Sequence, residues 1–153
     1  MDAITKATTG WLTTCLEKHS RCPRNDAPES YPTRLLELGE LTIRLVRPAE
    51  GDITGPYAAL SYCWGPNPQF IRLTRFTQDD LHRGIPISHL PIAFQEAIHL
   101  LKSFSVRLLW IDALCIVQDS DEDWLRESAK MYQVYDECHL SLSLSRSASP
   151  AES

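Results

Sequence analysis

VRLLWID, residues 106–112, is the clearest structural signal in this sequence. Only Arg107 interrupts an apolar run that directly follows a predicted helix and ends at the carboxylate of Asp112. Such a run is typical of a strand that is covered on both faces of a parallel sheet. The segment YAALSY at residues 57–62, which has Gly-Pro pairs on both sides, indicates a second buried strand.

Two helices are predicted on either side of the 106–111 strand. Residues 91–104 begin with a proline and repeat apolar side chains at helical spacing. In residues 120–135, Ser120 and Asp123 have the spacing of a capping box, and the carboxylates there favour the positive end of a helix dipole. The apolar stripe of this second helix is predicted to comprise Leu125, Ala129, Tyr132 and Tyr135.

The remaining elements have shorter sequence signals. Residues 34–38 and 41–47 flank a Gly-Glu pair, and the second run alternates in polarity, which predicts a β-hairpin. Residues 140–144 alternate leucine with serine, as a half-buried strand does. We also predict a helix at residues 3–19, a short strand at 70–74, and a short helix that is capped by Thr77 and ends at residue 83.

The order of these elements predicts the fold class. Strand, helix, strand, helix and strand follow one another over residues 57–145, which implies right-handed crossovers and a small parallel sheet flanked by helices. We divide the chain into an N-terminal helix and loop leader at residues 1–33, an α/β domain at 34–146 that starts with the β-hairpin, and a frayed tail at 147–153.

Composition and charge narrow the range of functions. The 153 residues match one globular domain, and a net charge of −5 disfavours nucleic-acid binding, which needs clustered basic residues. No stretch approaches the ~20 apolar residues that span a bilayer, and the N-terminus lacks the apolar core of a signal peptide. Five cysteines, an odd number without dense pairing, suit a reducing compartment. We therefore expect a cytoplasmic protein whose partners are proteins or small molecules.

Three residues of the types that bind metals, two cysteines and a histidine, occur at helical spacing near the N-terminus. Cys15, His19 and Cys22 stand at positions i, i+4 and i+7, so a continuous helix would place them on one face. A fourth ligand is missing locally, and we therefore assign no metal site. Cys15 is interpreted as a small core residue, and His19 as a side chain near a helix C-terminus, where positive charge is favourable.

Polar side chains follow both predicted interior strands. Ser61 and Trp64 follow the first strand, and Asp112 and Gln118 follow the second. Ligands of open parallel sheets bind beyond the carboxyl ends of the strands, where loops converge. We therefore expect these four residues to line one crevice.

Three blocks of the sequence match a known family in order and spacing. They are YAALSYCWG at residues 57–65, LPIAFQEAI at 90–98, and LWIDALCIVQD at 109–119, which runs on into Asp123 and Trp124. Together they strongly resemble the fungal HET (heterokaryon incompatibility) domain over residues 57–146. Residues 11–38 are similar to the leader that is often found before that domain.

The resemblance implies a role in fungal incompatibility, in which a mismatch between fused cells triggers programmed death. The HET domain would be the toxic effector part of this self/non-self recognition. The resemblance also implies a distant kinship with TIR domains, which are flavodoxin-like folds that assemble through protein contacts and in some members cleave NAD. Our leading hypothesis is an effector that acts by protein assembly, either homotypic or with an incompatibility partner.

Two other interpretations remain open. The first is a TIR-like NAD glycohydrolase, with NAD as substrate rather than cofactor and with Glu127 or Asp112 as the essential carboxylate. Trp64 would then pack against the leaving base. Trp124, which we also count as a candidate ligand-binding residue, belongs to the Trp124-x-x-Glu127 echo of the TIR catalytic block. The second is a truncated, inactive HET-domain fragment, since a flavodoxin-like sheet normally has five strands.

Each candidate site residue also has a plain structural interpretation. Asp112 would accept backbone N–H bonds to cap a loop, and Trp64 would be a core residue. Glu127 would pair with Lys130 on a solvated helix face. A carboxylate that closes an apolar strand needs partners of some kind, so both interpretations of Asp112 remain open.

Overall fold

The computed structural model describes residues 2–22, 27–63, 65 and 69–144 of the chain. Within these residues, six strands and six α-helices form a mixed α/β fold. The strands are β1 (Leu35–Leu38), β2 (Thr42–Val46), β3 (Tyr57–Ser61), β4 (Ile85–Pro86), β5 (Leu108–Ile111) and β6 (Leu140–Ser143). The α-helices are α1 (Asp2–Lys18), α2 (Gln78–Arg83), α3 (Ile92–Ser103), α4 (Asp112–Cys115), α5 (Asp121–Ser128) and α6 (Met131–Glu137).

The strands form a single sheet with the order β4-β2-β1-β5-β3-β6. The two apolar runs lie side by side as predicted, because β3 pairs in parallel with β5 and aligns Leu60 with Ile111. On its other side, β3 pairs in parallel with β6. The two interior strands expected from the sequence are therefore confirmed.

The prediction of a small parallel sheet is wrong for the sheet as a whole. The hairpin of β1 and β2 forms as predicted, but β1 also pairs antiparallel with β5, aligning Leu36 with Leu109. The result is a mixed sheet, parallel at β5-β3-β6 and antiparallel at β4-β2-β1. The physical reason is that Leu35 and Leu36 are fully buried, so β1 covers an edge of β5 that would otherwise expose unpaired backbone groups.

The core surrounds β5, whose four residues are all buried. Trp110 on this strand packs edge-on against Tyr135 of α6, with ring centroids 5.8 Å apart. Helix α3 buries its predicted apolar face, and its Phe94 packs against Tyr62, with centroids 4.8 Å apart. The helical periodicity of residues 91–104 is thus confirmed, although Pro91 precedes the first helical residue rather than occupying it.

The second predicted helix differs most from expectation. Ala129 and Lys130 keep right-handed helical backbone angles but form a turn, in which Lys130 N donates to Glu127 O, so residues 120–135 form the two helices α5 and α6. The cap is confirmed, because the Ser120 hydroxyl accepts a hydrogen bond from Asp123 N at 3.3 Å. The predicted apolar stripe is confirmed at Tyr135, which packs against the core, but it is wrong at Ala129, which is exposed, at Leu125, which is 65% exposed, and at Tyr132, which is 81% exposed. Helix α5 instead buries its acidic residues Asp123 and Glu127.

Two of the short elements also differ from prediction. Residues 70–74 form no regular strand, because Leu73 bonds to the segment after β5: its N–H donates to Ala113 O and its carbonyl accepts from Gln118 N, both at 2.8 Å. Thr77 directly precedes α2 but caps none of its N–H groups, since its hydroxyl accepts from Thr74 N and donates to Arg72 O.

Helix α1 is confirmed, and it ends before Cys22 is reached. The predicted tail at residues 147–153 lies outside the described residues. Among the described helices, none has the length and apolar character to cross a membrane.

Candidate functional site

The carboxyl ends of β3 and β5 meet at one edge of the sheet. Ser61 is the last residue of β3 and is exposed, and Asp112 directly follows β5 and is partly buried. Because the two strands are parallel and in register at Leu60 and Ile111, both polar residues emerge on the same side. Two tyrosines, Tyr62 and Tyr135, complete what we call the strand-end cluster.

The two tyrosines of the strand-end cluster interact with its polar residues. Burial, and then the negative charge of Asp112, raise the pKa of the Tyr62 hydroxyl far above its ordinary range. Burial and the same carboxylate raise the pKa of Tyr135, against a lowering effect of its hydrogen bond with Ser61. Both hydroxyls are therefore protonated at neutral pH and can act as hydrogen-bond donors, as Tyr135 does towards Leu60 O at 3.5 Å. Sequence reasoning missed them, although Tyr62 stands next to Ser61 in the same block.

Asp112 has the capping role that the structural interpretation expected. Its Oδ1 accepts a hydrogen bond from Ala113 N at 2.7 Å, at the start of the four-residue helix α4. The Asp112 carbonyl accepts from Ile116 N and from Gln118 Nε2, both at 3.0 Å. A capping role does not remove the charge, so Asp112 still places a carboxylate in the strand-end cluster.

The remaining predicted ligand-binding residues are Gln118, Trp124 and Trp64, and they do not share one environment. Gln118 Nε2 donates to the carbonyls of Asp112 and Ile116, at 3.0 and 2.9 Å, so its amide nitrogen closes the loop after β5. Trp124 lies on α5 and is 51% exposed. Trp64 lies outside the described residues.

A buried ion-pair network connects the start of β1 with α5. Arg34 and Asp123 are each 4% exposed, and the guanidinium donates to both carboxylate oxygens at 2.9 Å. Arg34 also donates to Cys115 O at 3.1 Å, and Asp123 accepts from Val117 N at 2.8 Å and from Arg126. Burial acts to raise the pKa of Asp123, but these donors and the positive charges hold it below its usual value.

Glu127 is the second buried carboxylate of α5, at 4% exposed. It accepts from Thr33 Oγ1 at 2.9 Å and from Arg126 Nε at 3.3 Å, and Lys130 Nζ lies 3.6 Å away. The expected pair with Lys130 is therefore present, but the expected solvated setting is wrong. The physical reason is that Thr33 and Arg126 satisfy the carboxylate inside the protein.

The space beside Glu127 is too small for a nucleotide. The cavity that it lines with Tyr31, Pro32 and Tyr57 has a volume of about 20 Å³. That volume holds about one water molecule, whereas pockets for small ligands measure roughly 300–1,000 Å³. Because Tyr57 begins β3 and Ser61 ends it, their Cα atoms are about 13 Å apart, which places this cavity away from the strand-end cluster.

Cys115 lies between the strand-end cluster and the buried network. Burial raises the pKa of its thiol to about 12, and the charges of Asp112 and Glu127 act in the same direction. A thiol with so high a pKa is protonated at neutral pH, which excludes Cys115 as a thiolate nucleophile.

The N-terminal Cys/His residues come together, although not on a continuous helix. The ligand atoms of Cys15, His19 and Cys22 all lie within 4.8 Å of one another. Because α1 ends at Lys18, the turn that follows the helix brings Cys22 back to Cys15.

Fold and site together define the class of this protein. It is an α/β domain in which parallel strands end in a cluster of polar and aromatic residues and in which an acidic helix face is buried. The family model described as heterokaryon incompatibility protein (HET) matches residues 57–153, and the chain belongs to this family. No curated protein and no solved structure shows significant similarity to the chain.

Proposed function

We propose that this chain is an effector module of fungal heterokaryon incompatibility that acts through protein assembly and leads to cell death. Family membership supports the biological setting. The observation that carries the assembly mechanism is the orientation of α5. This helix buries Asp123 and Glu127, each 4% exposed, while Trp124 is 51% and Leu125 is 65% exposed.

That orientation is the reverse of an ordinary surface helix, whose apolar face points to the core. The buried network holds it in place. Rotating α5 to bury Leu125 would separate Asp123 from Arg34, and an uncompensated buried charge costs about 3–5 kcal/mol. The apolar side chains therefore stay at the surface, where burying each against a partner would contribute about 1.5–3 kcal/mol.

Assembly through α5 supplies a reason for this arrangement. We call Trp124 and Leu125 of α5, together with the 81% exposed Tyr132 of the adjoining helix α6, the assembly residues. Exposed aromatic side chains of this kind are typical anchors of protein interfaces. The partner is a second copy of the chain or an incompatibility partner, and the site of action is the cytoplasm, where a reducing environment suits five free thiols.

The test is a double variant, Trp124→Ser with Leu125→Ser, compared with Phe76→Ser. Phe76 is 91% exposed and lies outside the proposed interface, so it is a matched control for losing a surface aromatic. We expect the double variant to weaken self-association in light scattering at least tenfold and to abolish killing in a fungal cell-death assay. Phe76→Ser should leave both unchanged. A double variant that kills and assembles like the original chain would refute the mechanism.

A second candidate function is cleavage of NAD, and the strand-end cluster favours it. Ser61 and Asp112 emerge at the same edge of the sheet, where parallel folds bind ligands, and Asp112 supplies a carboxylate to stabilise positive charge on the ribose. Glu127 is the weaker choice because its cavity is only about 20 Å³.

Nicotinamide release from NAD tests this candidate. Asp112→Asn keeps the Oδ1 acceptor for the cap on Ala113 N but removes the charge, so the variant should fold and lose at least 100-fold in rate. Glu127→Gln should retain activity if its fold survives. Absence of nicotinamide at high protein concentration, with a crowding agent to drive assembly, would eliminate the enzyme.

A further inference from the structure

We propose that Cys15, His19 and Cys22 bind a zinc ion at the C-terminal end of α1. The observation is their convergence: one ligand atom from each residue lies within 4.8 Å of the other two. The site is separate from the strand-end cluster and from the matched family region, which begins at residue 57. It therefore does not depend on the proposed function.

The local backbone creates the convergence. The N–H of His19 donates to Cys15 O, and the N–H of Cys22 donates to His19 O, both at 3.2 Å. The first bond continues the helical pattern past Lys18, and the second closes a tight turn after it. This turn returns Cys22 to the side chain of Cys15, a grouping that a straight helix would not produce as closely.

The distances suit a tetrahedral zinc ion after small side-chain movements. In a tetrahedral site, zinc lies about 2.3 Å from each sulfur and about 2.0–2.1 Å from the nitrogen. These bond lengths place the two sulfur atoms about 3.8 Å apart and each sulfur about 3.5 Å from the nitrogen. Cys22 Sγ lies 3.9 Å from His19 Nδ1, and 2.8 Å from Cys15 Sγ. These two separations are within about 1 Å of the required values, and the third, between Cys15 and His19, is at most 4.8 Å. Because the three side chains are exposed or only partly buried, a change of rotamer can supply that difference.

The alternative interpretation of Cys15 as a core residue is wrong. Cys15 is only partly buried, and none of residues 3–22 is buried. Helices in proteins are stabilised chiefly by packing one face, and α1 lacks a fully buried side chain over residues 3–18. A metal ion that joins the last turn of α1 to Cys22 would stabilise the helix end without such burial.

Zinc fits the chemistry of the donor set better than a hard cation does. Two thiols and one imidazole are soft and borderline donors, which select zinc over magnesium or calcium. Binding converts both thiols to thiolates and releases two protons, while the imidazole binds in its neutral form. Three protein ligands leave the fourth position of the tetrahedron for a water molecule.

The test uses the full chain, kept reduced with a phosphine and titrated with zinc against a chromophoric chelator. We expect one zinc ion per chain, and a loss of affinity of at least tenfold in each of Cys15→Ser, His19→Ala and Cys22→Ser. Cys63→Ser, which removes an exposed thiol elsewhere, is the matched control and should bind like the original chain.

A second measurement needs no substitution. Zinc should protect Cys15 and Cys22 from alkylation while leaving Cys63 reactive, and cobalt in its place should give thiolate-to-metal charge-transfer absorption. Full alkylation of Cys15 and Cys22 at saturating zinc would overturn the proposal. Rapid formation of a Cys15–Cys22 disulfide by mild oxidant, with no zinc retained by the reduced chain, would also overturn it and indicate a redox pair.

Discussion

Replacing Arg34 by methionine tests the buried network that orients α5. The substitution keeps much of the side-chain volume but removes the bidentate bond to Asp123 and the bond to Cys115 O. Asp123 then keeps Val117 N and Arg126 as donors, but it remains 4% exposed. Removing one partner of a buried pair costs about 3–5 kcal/mol, and we expect that loss in the free energy of unfolding at pH 7.

The loss should depend on pH in a defined direction. In the folded chain the pKa of Asp123 lies below its unfolded value of about 3.9, so the carboxylate contributes stability at neutral pH that is lost as pH falls through the folded pKa. Without Arg34, the hydrogen bond and the positive charge that lower this pKa against the effect of burial are lost, so we expect the pKa of Asp123 to be higher in the variant than in the original chain. The variant can then relieve its unpaired charge by taking up a proton, and its deficit relative to the original chain should shrink as pH falls towards 4.

Urea unfolding measures both the free energy of unfolding at pH 7 and its change with pH. The transition can be followed by the fluorescence of the tryptophans, which include the buried Trp110. The matched control is Arg44→Met, which removes a pair with Glu37 whose side chains are 54% and 31% exposed. An exposed pair contributes about 0–1 kcal/mol, so this control should unfold almost like the original chain. Equal effects of the two substitutions, or a deficit for Arg34→Met that is constant from pH 7 to 4, would refute our account of the network.

Three smaller substitutions check local features by the same unfolding measurement. Ser120→Ala removes the cap of α5 and should cost about 1 kcal/mol, with a fall in helical circular dichroism. Tyr57→Phe removes a 2.6 Å bond to Val134 O and should also cost about 1 kcal/mol, and no loss would show that the carbonyl finds another donor. Leu109→Ala, at a fully buried position of β5, should cost about 2–5 kcal/mol, and a cost below 1 kcal/mol would contradict the described core.

The parallel part of the sheet could be predicted because its signals are local. The runs at residues 57–60 and 108–111 are apolar throughout, and each is followed by a polar residue at the point where its strand ends. Parallel pairing then places Ser61 and Asp112 at one edge without any knowledge of distant contacts. Helix α3 and its buried face could be predicted for the same reason, because Phe94, Ala97 and Ile98 recur at helical spacing and are buried.

The orientation of α5 could not be predicted, because it depends on a residue far away in the sequence. A search for periodic apolar residues assigns Leu125 and Tyr132 to the core and the carboxylates to solvent. The partner of Asp123 is Arg34, 89 positions earlier, and no local pattern connects the two. A buried charge becomes favourable only when such a partner is present. Contacts with distant residues therefore decide which face of α5 is buried. The spacing of Cys15, His19 and Cys22 indicated a common face on a continuous helix, but the way in which Cys22 approaches Cys15 could not be predicted, because it depends on the end of α1 at Lys18.

Residues 33–46, which precede the matched family region, are part of the folded unit rather than an appendage to it. The matched family region begins at Tyr57, yet both buried carboxylates of α5 take donors from earlier residues: Asp123 from Arg34, and Glu127 from Thr33. The same segment supplies β1, which pairs with the open edge of β5. Without it, two carboxylates would lose buried partners and an interior strand would expose a row of unpaired backbone groups. Because this earlier segment also fixes the side of α5 that faces solvent, any assembly through Trp124 and Leu125 depends on residues outside the matched family region.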